Sequence, residues 1–188
     1  MRKTLIQNNI YDERAVMEIW DLYDKNRNYL GKSKKRGDKF EKDDYHIVVH
    51  VCIFNSSNEM LIQQRQTYKK GWSGLWDVTV GGSALHNEDS QTCAQREVYE
   101  EIGLKLDLDD QRPFLTVHFP YGFDDYYIIE KDLDVNTLKL QEEEVAAVRW
   151  ADKNTITSLI DNDQFVPYHK SLIELLYDLR KKRGAHYK

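Results

Sequence analysis

The stretch GSALHNEDSQTCAQREVYEEIGL, from Gly82 to Leu104, constrains this chain more than any other. Its spacing predicts a helix from about Asp89 to Ile102, with Gly103 placed to cap the end. At about 100° per residue, Glu97, Glu100 and Glu101 fall within one arc, because residues three and four apart are neighbours on a helix face. Ala94, Val98 and Ile102 form an adjacent apolar stripe. One flank is therefore built for burial, and the next presents three carboxylates. Those carboxylates repel one another, and like charges at this spacing cost a helix a few tenths of a kcal/mol. They also oppose the dipole at the helix C-terminus. Selection for stability alone would place Lys or Arg there. A divalent cation removes the conflict, since Mg²⁺ takes hard oxygen ligands in octahedral geometry. Glutamates that merely face solvent would explain a lone pair. They do not explain the full spacing of Gly82, Glu88, Arg96, Glu97, Glu100, Glu101 and Gly103 with apolar Val98 and Leu104. At average residue usage that pattern arises by chance about 10⁻⁹ times per window.

The rest of the chain reads as an ordinary globular background. It has 188 residues, enough for one sizeable core, with 40% hydrophobic and 31% charged residues. A continuous domain over 1–188 is the simplest division, because no repeat, low-complexity tract or Pro/Gly-rich linker interrupts it. No apolar run is long enough to span a membrane, and the N-terminus lacks an apolar signal core; a cytoplasmic location is expected. A net charge of −5 offers no general attraction to duplex nucleic acid. The basic runs at 32–39 and at the C-terminus read as solvated surface. Cys52 and Cys93 follow no metal spacing and read as buried thiols.

Strand patterns come first. Short runs at 19–23 and from Tyr29 belong to an N-terminal extension of about 1–45. HIVVHVCIF at 46–54 is strongly β-branched, and EMLIQQR pairs back on it through the turn at 55–58. WDVTV at 76–80 reads as one strand ended by Gly81 and Gly82. Further strands are expected near 114–119, 125–130 and 145–151. Helices are expected at about 153–161 and 168–182; in the last, Leu172, Leu175, Leu176 and Leu179 fall at helical spacing and pack on the body. A mixed sheet with helices laid against it follows.

The stretch at 82–104 resembles the Nudix box, G-x5-E-x7-R-E-U-x-E-E-x-G-U with U apolar, and every position matches. The resemblance implies the α+β Nudix fold, a mixed β-sheet sandwiched between α-helices, with the box as loop–helix–loop. It implies hydrolysis of a diphosphate linkage in a nucleoside diphosphate derivative or related organic diphosphate, dependent on Mg²⁺ with Mn²⁺ as an alternative. Glu97, Glu100 and Glu101 then look like metal ligands, joined by the carbonyl of Gly82. Arg96 looks like the group that orients them, and Glu88 like an accessory acid at the box entrance. Glu100, Glu101 and Arg96 would be catalytic. In such enzymes a glutamate outside the box often completes the site or acts as base; Glu143 or Glu144 is placed for this, with Glu144 preferred, and a solvated turn is the alternative. The partner is a small phosphorylated molecule, and homodimerisation is a further expectation.

Beyond the box, WDLYDKNRNYLGKSKKRGD, YHIVVHVCIF and LIQQRQTYKKGWSGLWDVTVGG are similar to the isopentenyl-diphosphate isomerase branch of the superfamily. That enzyme moves a double bond and hydrolyses nothing. Its catalytic Cys-Gly-His run falls here on Gly81, Gly82 and Ser83, so both the thiol and a metal histidine are missing. Another metal histidine falls near Lys39; only His46 aligns with one. The isomerase box is degenerate, whereas this one is complete. Arg65 and Lys69 fall where that branch places diphosphate-binding cations, and a solvated strand end and loop is the equal alternative. His46 and His50 share one strand face, and packed histidines are the simpler reading. Trp72 and Trp76 read as loop anchors and core. A binding module without catalysis is the remaining alternative, though such modules usually lose box glutamates.

Overall fold

The computed structural model describes residues 18–186. The N-terminal residues 1–17, part of the expected extension, lie outside the described residues. The chain opens with a hairpin, β1 (Ile19–Tyr23) and β2 (Tyr29–Lys35), that forms a two-stranded sheet of its own. Seven more strands follow: β3 (His46–Phe54), β4 (Met60–Arg65), β5 (Trp76–Asp77), β6 (Val80–Ser83), β7 (Leu115–Phe119), β8 (Gly122–Glu130) and β9 (Val145–Ala151). Helix α1 (Ser90–Ile102) separates β6 from β7, while α2 (Lys153–Asp161) and α3 (Lys170–Lys181) come last. A 3₁₀ turn, Val135–Thr137, was not anticipated from the sequence.

Strand β3 is the hub. It runs parallel to β8 over its whole length, from His46↔Gly122 to Phe54↔Glu130, and antiparallel to β6 on its other edge. It meets β4 only at Phe54↔Met60, beside the turn at 55–58. Beyond that point the sheet splits into two leaves, β7-β8-β3-β6 and β9-β4-β5. Thr79 spans the fork: its hydroxyl oxygen accepts from the Ile53 N–H at 2.9 Å, and the hydroxyl donates to the Leu61 carbonyl. WDVTV is consequently two strands, not one. Trp76 and Asp77 join the β4 leaf, Val78 and Thr79 cross over, and Val80 begins β6 on the β3 leaf. Gly81 and Gly82 lie inside β6 and do not end it.

Alternation along β3 feeds two cores. Ile47, Val49, Val51 and Ile53 face α1, where Cys93, Ala94, Val98 and Ile102 are fully buried. The apolar stripe read on that helix is thus its buried flank. Cys52, Phe54, Met60 and Ile62 face the other way, against Ile156, Ile173, Leu176 and Leu179 of α2 and α3. Leu175 departs from the expected pattern and stays exposed. Both cysteines are buried, unpaired thiols.

The hairpin is tied to the loop that enters α1. Asp21 accepts from Asn87 N–H at 2.9 Å and Ser33 Oγ at 2.7 Å, and it pairs with His86. Arg27 reaches the fully buried Asp125, which also accepts from Ser90 Oγ at 2.6 Å and Thr116 Oγ1 at 2.7 Å. The basic run at 32–39 is not wholly solvated. Lys32 and Lys34 pair with buried Asp44 and, against the opposing effect of burial, hold its carboxyl down at about 2.

Candidate active site

Helix α1 is capped at both ends, so its register is fixed. The Asp89 side chain accepts from Thr92 N–H at 2.8 Å, and Gly103, at φ 69°, donates its N–H to the Tyr99 carbonyl at 3.0 Å. With that register, Arg96 becomes the centre of a set of anions. Its Nε and Nη2 donate to the two oxygens of Glu88, at 2.6 and 2.9 Å, and Nη2 also reaches the Ser83 carbonyl at 3.3 Å. Its Nη1 lies 2.9 Å from both Glu97 Oε1 and Glu100 Oε2. Glu88 in turn accepts from Leu85 N–H at 2.9 Å, which ties the entrance loop to the helix. Glu88, Glu97 and Glu100 are brought together around Arg96; Glu101 is held apart, by Gln63.

Glu97 lies directly against Gly82. A Cβ on Gly82 would fall 2.0 Å from Glu97 Oε1, so the Glu97 side chain can lie here only because residue 82 has no side chain. Burial pushes the Glu97 carboxyl up to about 7, against the pull of Arg96. Glu101 is buried beneath it, at 6% exposure, and accepts from Gln63 Nε2 at 2.8 Å. Burial first, then the charge of Glu97, raise its carboxyl well above the ordinary range; Glu144 and Asp77 add to the effect. Glu100 sits at the solvent edge. Sequence reasoning missed Gln63 and Asp77, because neither lies in a motif. Gln63 faces α1 from β4, and Asp77 pairs opposite it on β5.

Outside the box the picture is mixed. Arg65 is mostly buried, with Nη1 3.6 Å from Asp77 Oδ2 and a buried Nε that has no acceptor. Lys69 and Glu144 form an ion pair with each other. Glu142 and Glu143 line a separate cleft of about 670 Å³ with Gln66 and Tyr68. His46 is packed: it stacks on Trp20 at 4.6 Å, contacts Phe40 and Phe119, and burial lowers its pKa to about 4. His50 stacks on Tyr126. Trp76 is half-buried under Arg149, whereas Trp72 is 53% exposed.

A family model for the NUDIX domain matches residues 44–176, a span that holds the whole constellation. The chain belongs to the Nudix family. An uncharacterized Nudix hydrolase of Listeria monocytogenes is 43% identical over 171 residues, covering 91% of this chain and 100% of the relative. An isopentenyl-diphosphate Delta-isomerase of Pectobacterium atrosepticum is 32% identical over 112 residues, 60% of each chain. Among solved structures, a Deinococcus radiodurans protein superposes with a TM-score of 0.68 at 21% identity, over 85% of this chain and 97% of its own. A MutT protein from Methanosarcina mazei gives 0.54 at 21% identity, over 77% and 99%. The α+β Nudix fold is therefore the fold of this chain, and the chain is a Nudix hydrolase of the pyrophosphohydrolase type.

Nudix hydrolases generally use divalent metal ions, and the donor set here fits one. Glu97 and Glu101 are buried oxygen donors that repel each other; Arg96 offsets this at Glu97 and the Gln63 amide at Glu101. The buried Gln63 Oε1 beside them has no partner. In the present rotamers the carboxylates are drawn apart, Glu97 and Glu100 toward Arg96 and Glu101 toward Gln63. Among the described residues no three His, Cys, Asp or Glu side chains converge on one point. Likewise, no helix among them is long and apolar enough to cross a membrane.

Proposed function

We propose that this Nudix hydrolase cleaves, with Mg²⁺, a diphosphate linkage in a nucleoside diphosphate derivative or a related organic diphosphate. The observation that carries the proposal is the pair of buried, mutually repelling carboxylates Glu97 and Glu101, the first held against Gly82 by Arg96 and the second held by Gln63. Glu97, Glu100, Glu101 and the Gly82 carbonyl would hold the ion; when bound, it neutralises diphosphate oxygens and acidifies water. Arg96 keeps the carboxylates on one side of the helix. Arg65, with donors to spare, grips a phosphate oxygen, and Lys69 adds a point charge beside it. Glu144 takes the proton of the attacking water. Water adds to one phosphorus, and the bond from that phosphorus to the bridging oxygen breaks. Most of the acceleration comes from positioning and charge neutralisation.

The isomerase reading finds no support at the site. Where that enzyme needs a thiol stands Gly81, which packs beside His50. The two thiols of the chain are buried elsewhere, and burial raises both well above the usual range. The test is a broad panel of phosphorylated metabolites, with and without Mg²⁺ or Mn²⁺, reading released phosphate with and without added phosphatase. Metal-dependent release is expected for one substrate class, and the Glu100→Gln/Glu101→Gln variant should lose it by at least about 10²-fold. Release that persists in the variant would refute the assignment. Tight diphosphate binding without turnover would favour a binding module.

A further inference from the structure

The mechanism above leaves a row of polar side chains unused in the mouth between the two leaves. It starts at Asp77, which is 8% exposed. One oxygen of Asp77, Oδ1, accepts from the Tyr168 hydroxyl at 2.9 Å and from Val78 N–H at 2.8 Å. The other, Oδ2, faces Arg65 at 3.6 Å. Tyr168 arrives from the segment that leads into α3. Backbone bonds lay that segment along β5: Trp76 N–H to the Gln164 carbonyl at 2.9 Å, and Val166 N–H to the Trp76 carbonyl at 2.8 Å. Behind Tyr168 stands His50, whose Nδ1 is 3.4 Å from the hydroxyl and whose Nε2 is 3.2 Å from Asp124 Oδ1. Stacking on Tyr126 at 4.6 Å fixes the His50 ring.

Such a row is expensive to bury where an apolar side chain would pack as well. Its geometry has one specific consequence at Arg65. With Oδ1 tied by two donors, Asp77 can offer Arg65 only Oδ2, at a separation beyond a normal hydrogen bond. The guanidinium is aimed but not captured. Released from Tyr168, the carboxylate could rotate and close on Arg65 as a bidentate pair, which is the strong arrangement for these two groups. That pair would withdraw from a phosphate the donors Arg65 now keeps free.

We propose that Tyr168 is a positioning residue that keeps Asp77 from capturing Arg65, and so holds the arginine ready for a substrate phosphate. This rests on the phosphate-binding role given to Arg65. Tyr168→Phe isolates the hydroxyl. The ring keeps its contacts with Phe165 and His50, so the variant retains the fold.

The experiment measures calorimetric binding of methylenediphosphonate, a diphosphate with a non-hydrolysable bridge, in Mg²⁺. Tyr168→Phe should weaken binding about tenfold, the loss of one charge-assisted hydrogen bond. Arg65→Gln should weaken it at least as much, and adding Tyr168→Phe to it should change nothing further. The decisive variant is Tyr168→Phe/Asp77→Asn, in which no carboxylate is left to capture Arg65; binding should return to within about threefold of wild type. With a hydrolysed substrate, KM should rise in Tyr168→Phe while kcat stays within about twofold. Wild-type binding by Tyr168→Phe, beside a weakened Arg65→Gln, would overturn this proposal and leave the role of Arg65 standing. No rescue by Asp77→Asn would overturn it too. Wild-type binding by Arg65→Gln would remove both.

Discussion

Gly82 shows how a single residue connects the box to its chemistry. Its backbone does not require glycine, because its φ is not positive; the space does. An added Cβ would meet Glu97 Oε1 at 2.0 Å, Cδ at 2.1 Å and Cγ at 2.7 Å. Every one of those atoms belongs to a flexible side chain, so the backbone can stay where it is while Glu97 swings away. Gly82→Ala should therefore separate stability from activity. The melting temperature should move by only a few degrees, about 1 kcal/mol or less. Turnover should fall by about 10²-fold, since a site carboxylate displaced by an ångström or more loses its geometry. Parallel thermal melts and initial rates measure the two. A variant with wild-type turnover would show that the position of Glu97 against Gly82 is incidental.

At the scale of elements, the fork between β3 and β4 makes the site. Gln63, on one leaf, reaches Glu101 of α1, which packs on the other, because the leaves part after Phe54↔Met60. Thr79 holds the fork. In Thr79→Val the Ile53 N–H loses its acceptor and the Leu61 carbonyl its donor, both buried among the cores. The expected loss is about 1–3 kcal/mol, read from the midpoint of urea denaturation at an unchanged slope. An unchanged midpoint would mean that the backbone heals without the hydroxyl. This fork is also where the sequence misled. Val78 and Thr79 are good strand formers, so WDVTV reads as one strand, and nothing local reports that its halves pair with different partners. The helix was legible because its caps, its apolar stripe and its acidic arc all agree at one period. The parallel pairing of β3 with β8 was not, because it joins residues about 76 apart with no turn between them. Arg65, Lys69 and Glu144 were legible only by resemblance. The Lys69–Glu144 ion pair and the hydroxyl of Tyr168 became visible only once the loops were folded together.

The whole molecule carries its site as a liability that a cation would relieve, and this has a measurable sign. Glu97 titrates near 7 in the folded chain, against 4.5 for an ordinary glutamate, with burial as the first cause. The folded state therefore holds this proton more tightly than the unfolded state. The stabilisation from that proton is fully present below about pH 4.5 and is lost as pH rises through 7. The rise from 4.5 to about 7 corresponds to ~3 kcal/mol as an order of magnitude. Glu101 shifts in the same direction and adds to the loss. Without divalent ions, the melting temperature should thus fall between pH 5 and pH 8 through these two groups. Mg²⁺ competes with the same protons, so the stabilisation it confers should grow over that range. Thermal melts in EDTA and in Mg²⁺, at matched ionic strength, give the difference at each pH. The slope should flatten in Glu97→Gln/Glu101→Gln, whose amides neither titrate nor bind the ion strongly. A Mg²⁺ effect independent of pH, or one that survives in that variant, would place the ion away from Glu97 and Glu101 and leave their burial to be explained by packing alone.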